Sequence, residues 1–243
     1  MKRHNILVMG TVALAALAVG VRAQAGTFTT TAFTGDADCG ISTAKIYTHA
    51  ADCAGTEVGG RTVNGVTLER GMPDSTGGYG TNWSLSGCPN GLGFGWGGTG
   101  NVTGMIGDWA DDGHNGGVLS DFWYGYGNPV TTLTLTGLTP GTHYLLTLYN
   151  QGWGDPGGRV QTVTTSIDST PYVYDENWAG SRNGNLLMYD YVANAETVSL
   201  AFATADLAAC MHMYGFTNEI VPEPSTLLLL VVGLFGCAWR KRA

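Results

Sequence analysis

The sequence predicts an all-β protein, an antiparallel β-sandwich, and three observations point there. The first is a period of two. In "TTLTLTGLTPGTHYLLTLYN", Leu133 and Leu135 alternate with threonines, and the pattern resumes as Tyr144 to Tyr149 after Pro140-Gly141, which is how half-buried strands read. The second is composition: 38 glycines in 243 residues and only 12% charged side chains. Glycine is then more than twice its usual share of about 7%, which suits short strands joined by tight turns. The third is that no window of a dozen residues between the two chain ends carries a helical period. Many short strands with glycine-rich punctuation favour a sandwich over a barrel.

Taken in order, the elements begin with an address. Lys2 and Arg3 precede an apolar stretch from Ile6 to Val21, and Ala23-Gln24-Ala25 sets small residues at the two positions that a signal peptidase reads. Residues 1–25 are therefore expected to be a signal peptide, cleaved after Ala25. Residues 26–220 form one exported domain. Strands are expected at Thr43 to Thr48, Thr62 to Leu68, Phe122 to Tyr126, Val160 to Thr165, Leu186 to Val192, Val198 to Ala203 and Met211 to Ile220. The stretch around Leu133 and Tyr144 reads as a β-hairpin turning at Pro140-Gly141. Val102 to Ala110 has room for one short turn of helix.

The last element is "VPEPSTLLLLVVGLFGCAWRKRA". Its apolar run, Leu227 to Trp239, is 13 residues, about 20 Å as a helix against a hydrocarbon core of about 30 Å. The flanks extend its reach. Arg240, Lys241 and Arg242 snorkel and act as a membrane stop on the cytoplasmic side, while Pro222 and Pro224 end the helix upstream. A transmembrane tail fits this pattern better than a buried strand.

Val221-Pro222-Glu223-Pro224-Ser225-Thr226, the apolar run and the basic cluster together resemble the PEP-CTERM sorting segment of exported bacterial proteins. The likeness covers residues 221–243 only. It implies that the tail holds the protein in the inner membrane transiently, until an exosortase-type transpeptidase acts near Pro222, Glu223 and Pro224. It also implies release to the cell surface or exopolysaccharide matrix of a Gram-negative-type bacterium. A protein anchored by the same tail and never processed is the alternative. The body, over Ile41 to Ile220, is similar to galactose-binding-like jelly rolls in the order of "VNGVTL", a glycine-rich insert, the Trp123 strand and "LTGLTPGTHYLLTLY". That likeness implies a jelly-roll-like sandwich and no particular ligand.

Charge narrows the partners. Six of the 11 basic residues lie in the two end segments, which leaves five against 19 acids, a net charge of about −14 for the exported part with Glu223 counted. Such a surface repels phosphate backbones and excludes nucleic acid. Cations, sugars and basic partners fit. Export also permits disulfides. Cys39, Cys53, Cys88 and Cys210 allow three pairings, of which Cys39 with Cys53 closes the shortest loop; four buried free thiols are the other reading.

Two loop regions carry candidate chemistry. "GDWADDGHNGG" gathers Asp108, Asp111 and Asp112 with His114 and Asn115, and Asp121 follows. Clustered oxygens on a flexible loop suit calcium, although the spacing is not that of an EF-hand and a solvated acidic loop accounts for the same residues. No other cofactor is indicated. Trp109 and, in "NQGWGDPGG", Asn150, Trp153 and Asp155 combine apolar rings with amides and acids, the chemistry of a shallow glycan site. Trp123 and Tyr126 sit in a strand and are expected in the core. The body lacks Gly-x-Ser-x-Gly, His-Glu-x-x-His and Cys-x-x-Cys, and His49, His114, His143 and His212 are scattered singly. No catalytic residues are therefore assigned. The expected function is a structural or adhesive surface protein linked to exopolysaccharide, with a carbohydrate-binding module and, less favoured, a polysaccharide hydrolase as alternatives.

Overall fold

The computed structural model describes residues 25–53, 60–73, 77–88, 92–94, 100–107 and 117–222. Residues 1–24 of the expected signal peptide, the acidic segment with Trp109, and the tail beyond Pro222 lie outside them. Among the described residues every regular element is a strand, and no helix is long and apolar enough to cross a membrane.

The strands are β1 (Thr27–Phe33), β2 (Ile46–Asp52), β3 (Arg61–Val63), β4 (Val66–Arg70), β5 (Met72–Pro73), β6 (Gly77–Gly80), β7 (Trp83–Ser86), β8 (Leu92–Phe94) and β9 (Asp121–Tyr124). They continue as β10 (Val130–Thr136), β11 (His143–Gln151), β12 (Val160–Thr165), β13 (Tyr172–Asp175), β14 (Gly184–Val192), β15 (Thr197–Ala203), β16 (His212–Met213) and β17 (Gly215–Ile220). One seven-stranded sheet has the order β1-β14-β11-β17-β2-β4-β3 and a second has β13-β12-β15-β10-β7-β6-β5. A small third sheet is β16-β9-β8. Pairing is antiparallel throughout except for β2 with β4.

Each sequence feature finds a physical role here. Leu133 and Leu135 from β10, with Leu200 and Phe202 from β15, face Leu146, Leu148 and Leu187 across the interior and form one buried cluster. The threonines of β10 take the other face; Thr134 meets Ser199 at 3.0 Å. The first sheet is buried on its second face as well, where Tyr149 and Leu186 join Phe33, Ile41, Leu68, Ile106 and Leu119. That double burial explains why β11 is continuously buried from Leu146 to Gln151 instead of alternating.

One expectation is overturned. β10 and β11 are not a hairpin, because they belong to different sheets. The connection 137–142 carries Leu138 into the core, and the Leu138 and Gly141 amides donate to Glu196 and Ala193 carbonyls. Two strands whose apolar faces must both line one interior bury more surface facing each other across it than side by side. The same change of sheet recurs from β11 to β12, β13 to β14 and β14 to β15. Thr62 to Leu68 is also broken, into the β3–β4 hairpin with Asn64 and Gly65 at positive φ, the turn that right-handed strand twist prefers.

These arches sort the connections. Gln151 pairs with Gly184 and Gly215 with Asp52 in one sheet, and Val160 pairs with Asp175 and Val130 with Ala203 in the other. The connections 152–159, 176–183 and 204–211 therefore gather at one end of the sandwich. The opposite end holds Thr27, paired with Asp190, and Ile220, paired with Tyr144; the Val221 amide then donates to the His143 carbonyl at 2.9 Å. Both chain termini of the body thus leave from the end away from those loops.

Gly87, just after β7, shows how tightly the loop end is built. Its φ is +78°, and a Cβ there would lie 2.1 Å from the Val130 carbonyl oxygen. Gly87→Ala is expected to lower stability by about 1–3 kcal/mol from the backbone conformation alone, with further loss from displacement of β10. A urea midpoint that falls at constant slope checks this.

The cysteines correct a second expectation. Cys39, Cys53, Cys88 and Cys210 are all buried free thiols. Cys39 packs in the outer cluster and Cys53 in the core between the sheets, so the short-loop pairing is not made. Burial pushes all four thiols up, Cys88 to about 12, which leaves them protonated and poorly nucleophilic.

Candidate functional site

The loop end is organised around one buried acid and one buried imidazole. Glu176 follows β13, where its amide donates to the Arg159 carbonyl at 3.0 Å. His212 stands on β16, whose pairing with β9 sets it opposite Tyr124. Glu176 is 0% exposed and His212 4%. The two meet twice: His212 Nδ1 lies 2.7 Å from Glu176 Oε1, and the His212 backbone amide donates to Oε2 at 3.0 Å. Burial pulls the His212 pKa below its ordinary value, against the pull of the neighbouring carboxylate, with Arg159 acting in the same direction as burial. The neutral ring therefore places its proton on Nδ1, facing Glu176, and keeps Nε2 as the acceptor.

Aromatic rings enclose this pair. Phe122 lies 4.4 Å from the His212 ring, Trp153 5.0 Å, and Tyr124 and Tyr214 each 6.2 Å, centroid to centroid. The Trp153 indole N–H donates to the Tyr214 hydroxyl. Burial raises the Tyr174 and Tyr214 phenols well above the usual range, so both remain hydroxyls. On the inner side, Tyr174 donates to Asn185, whose Nδ2 donates to the Glu176 carbonyl at 2.9 Å.

The polar contacts continue outward and pin the loops. Arg159 Nη1 donates to the Cys210 carbonyl at 2.7 Å, and Gln161 Nε2 to that of Ala209 at 2.7 Å. Asn177 Oδ1 accepts from the Trp153 amide at 2.8 Å, and Asp175 Oδ2 from the Gly157 amide at 2.6 Å. Three connections with little regular structure are thereby fixed to one another. Hydrogen bonds that cross between loops in this way make this end a platform.

The residues expected from sequence fall into three groups. Trp153 and Asp155 do belong to this end: Trp153 is half-buried against Phe122 and His212, and Asp155 is exposed on the 152–159 loop. Asn150 does not reach the surface. It is 1% exposed, with its amide 3.1 Å from the Tyr174 hydroxyl, because β11 is buried on both faces at this point; its place is inside the fold and not on the loop surface. Asp121 is likewise buried, on β9. Asp108, Asp111, Asp112 and Trp109 lie outside the described residues, as do Glu223, Pro224, Arg240, Lys241 and Arg242; Pro222 is exposed. Among the described residues no cluster of three metal-ligating side chains occurs. Tyr126 corrects another expectation: it lies past the end of β9 and is 60% exposed, whereas Trp123 is core.

What sequence reasoning missed is Glu176 and its pairing with His212, a histidine that stands alone in the sequence. Glu176 lies in "YDENWAG" among ordinary loop residues, and 36 positions separate the two, so no local spacing marks them as partners.

Comparison with known proteins bears on the tail and little else. The PEP-CTERM protein-sorting motif matches residues 221–242. By that motif the chain is an exported protein sorted by an exosortase-type enzyme, with a membrane-anchored intermediate. No curated protein matches the chain. Among solved structures, the extracellular domain of ANXUR1 from Arabidopsis thaliana is similar at 14% identity and a TM-score of 0.35, over 44% of this chain and 35% of that one.

Proposed function

We propose that this protein is a structural or adhesive component of the bacterial surface or its exopolysaccharide matrix, and that its jelly-roll-like body holds carbohydrate at the loop end. One observation carries the reading: the loop end, with Trp153, Tyr126 and Asp155, is opposite the end from which the chain runs into its sorting tail. A protein tethered or attached through that tail presents its aromatic loops outward. Half-buried and exposed rings beside a carboxylate suit a pyranose, whose apolar face stacks while its hydroxyls find acceptors. In this reading Glu176 and His212 are a clamp that keeps the platform rigid and perform no chemistry. Calcium, held by the acidic segment around Asp108, Asp111 and Asp112, is the proposed cation.

The test is binding of the exported protein, recovered from the producing cell, to that cell's own extracellular polysaccharide, with and without a calcium chelator. Saturable binding that weakens about tenfold in Tyr126→Ala or Asp155→Ala, a loss of roughly 1.4 kcal/mol, supports the loop end as the contact. Loss of binding with chelator supports calcium. Absence of binding under both conditions would leave a sorted structural protein without a glycan site.

A further inference from the structure

Among the described residues, each of the two seven-stranded sheets has two edge strands, and these four are not alike. β3 has three residues and includes Arg61. β5 has two and ends in Pro73. β13 has four, starts directly after Pro171 and ends in Asp175. These are the usual protections of a sheet edge: shortness, charge and proline. β1 has none of them. Its seven residues, Thr-Phe-Thr-Thr-Thr-Ala-Phe, pair with β14 along their whole length on one side, contain no charge and no proline, and expose Thr27, Thr29, Thr31 and Ala32.

We propose that β1 is an assembly edge, and that its occupant is β1 of a second copy of this chain, paired antiparallel about a two-fold axis. Self-pairing centred on Thr30 sets Thr29 opposite Thr31 of the other copy and Phe28 opposite Ala32, so the strand is complementary to itself. Threonine pairs across strands are favourable. Charge argues for a second copy over a foreign strand. The exported part carries about −14, so two copies repel wherever acids face each other, and a symmetric contact needs a strip without charge. A basic partner would instead be drawn to the acidic surfaces. The strand is also well anchored for the purpose: the Phe28 ring stacks between Tyr172 at 4.8 Å and Tyr189 at 4.4 Å, which ties β1 to both sheets.

The geometry has a consequence for sorting. Antiparallel pairing turns the two tails to opposite ends of the dimer, so it suits molecules released from the membrane better than molecules standing side by side on it. If the loop end binds glycan, the dimer is a two-headed cross-linker of polysaccharide. That consequence rests on the proposed function; the pairing does not.

Sedimentation of the exported protein recovered from the producing cell, from about 1 to 100 µM, a range that brackets a contact of this size, tests the proposal. The expected result is a monomer–dimer equilibrium that Thr29→Glu with Thr31→Glu weakens at least tenfold, with unchanged circular dichroism because both side chains are exposed. Val173→Glu, on exposed β13 of the other sheet, should leave the dimer intact. A wild-type protein that stays monomeric throughout overturns the proposal. So does a dimer that survives the double threonine variant, or one that Val173→Glu abolishes equally.

Discussion

Glu176→Ala is expected to destabilise the protein by about 2–6 kcal/mol, the cost of leaving two buried donors without an acceptor at roughly 1–3 kcal/mol each. Both the His212 ring proton and the His212 backbone amide would lose their acceptor in a buried place. Chemical denaturation at constant slope measures the loss. A shift below about 1 kcal/mol would show that the pair does not hold the loop end together.

The same site predicts how stability follows pH. Burial lowers the pKa of both His212 and His49 in the folded state. The unfolded chain, with its histidines near 6.5, therefore takes up protons that the folded protein declines. Stability from these groups is complete above about pH 6.5 and is lost as pH falls toward the lowered folded values, by up to about 1.4 kcal/mol per pH unit for each. His212→Gln should flatten the slope between about pH 5 and 6.5, above the range where ordinary carboxylates titrate. An unchanged slope would mean that His212 titrates alike in both states.

The second large effect concerns location. Replacing Pro222, Glu223 and Pro224 with alanines is expected to leave essentially all of the protein membrane-bound and unprocessed, because the motif matched at residues 221–242 is the sorting signal while the apolar run and the basic cluster remain. Fractionation with an antibody to the body, which also reads the mass of the released form, checks this. Release of the variant as in the wild type would separate processing from the triplet. The folded body should be unaffected, since its last strand, β17, ends at Ile220.

The strands themselves were legible where alternation was strong. Val160 to Thr165 matches β12 to the residue, and the expected strands near Leu186 and Val198 fall short of β14 and β15 by two residues and one. β1 was not anticipated, although "TFTTTAF" alternates, because threonine on one face and solvent on the other give little hydrophobic contrast. The short strands β6 and β8 were hidden by glycine, which breaks the pattern that alternation depends on.

What the sequence determined by itself is therefore local or terminal: a sorting tail, a contiguous string read by another enzyme, and a period of two that makes strands of threonine and leucine. What only the tertiary structure decided is who meets whom. Leu133 and Tyr144 lie on neighbouring strands in sequence, yet their strands separate into different sheets, because burial is shared over a whole interior and not between chain neighbours. Glu176 and His212 become partners through the same arching, Asn150 turns inward on a strand buried on both faces, and Cys39 is held apart from Cys53 by a sheet. Periodicity is a property of a few consecutive residues, whereas pairing is settled by free energy summed over contacts far apart in the chain.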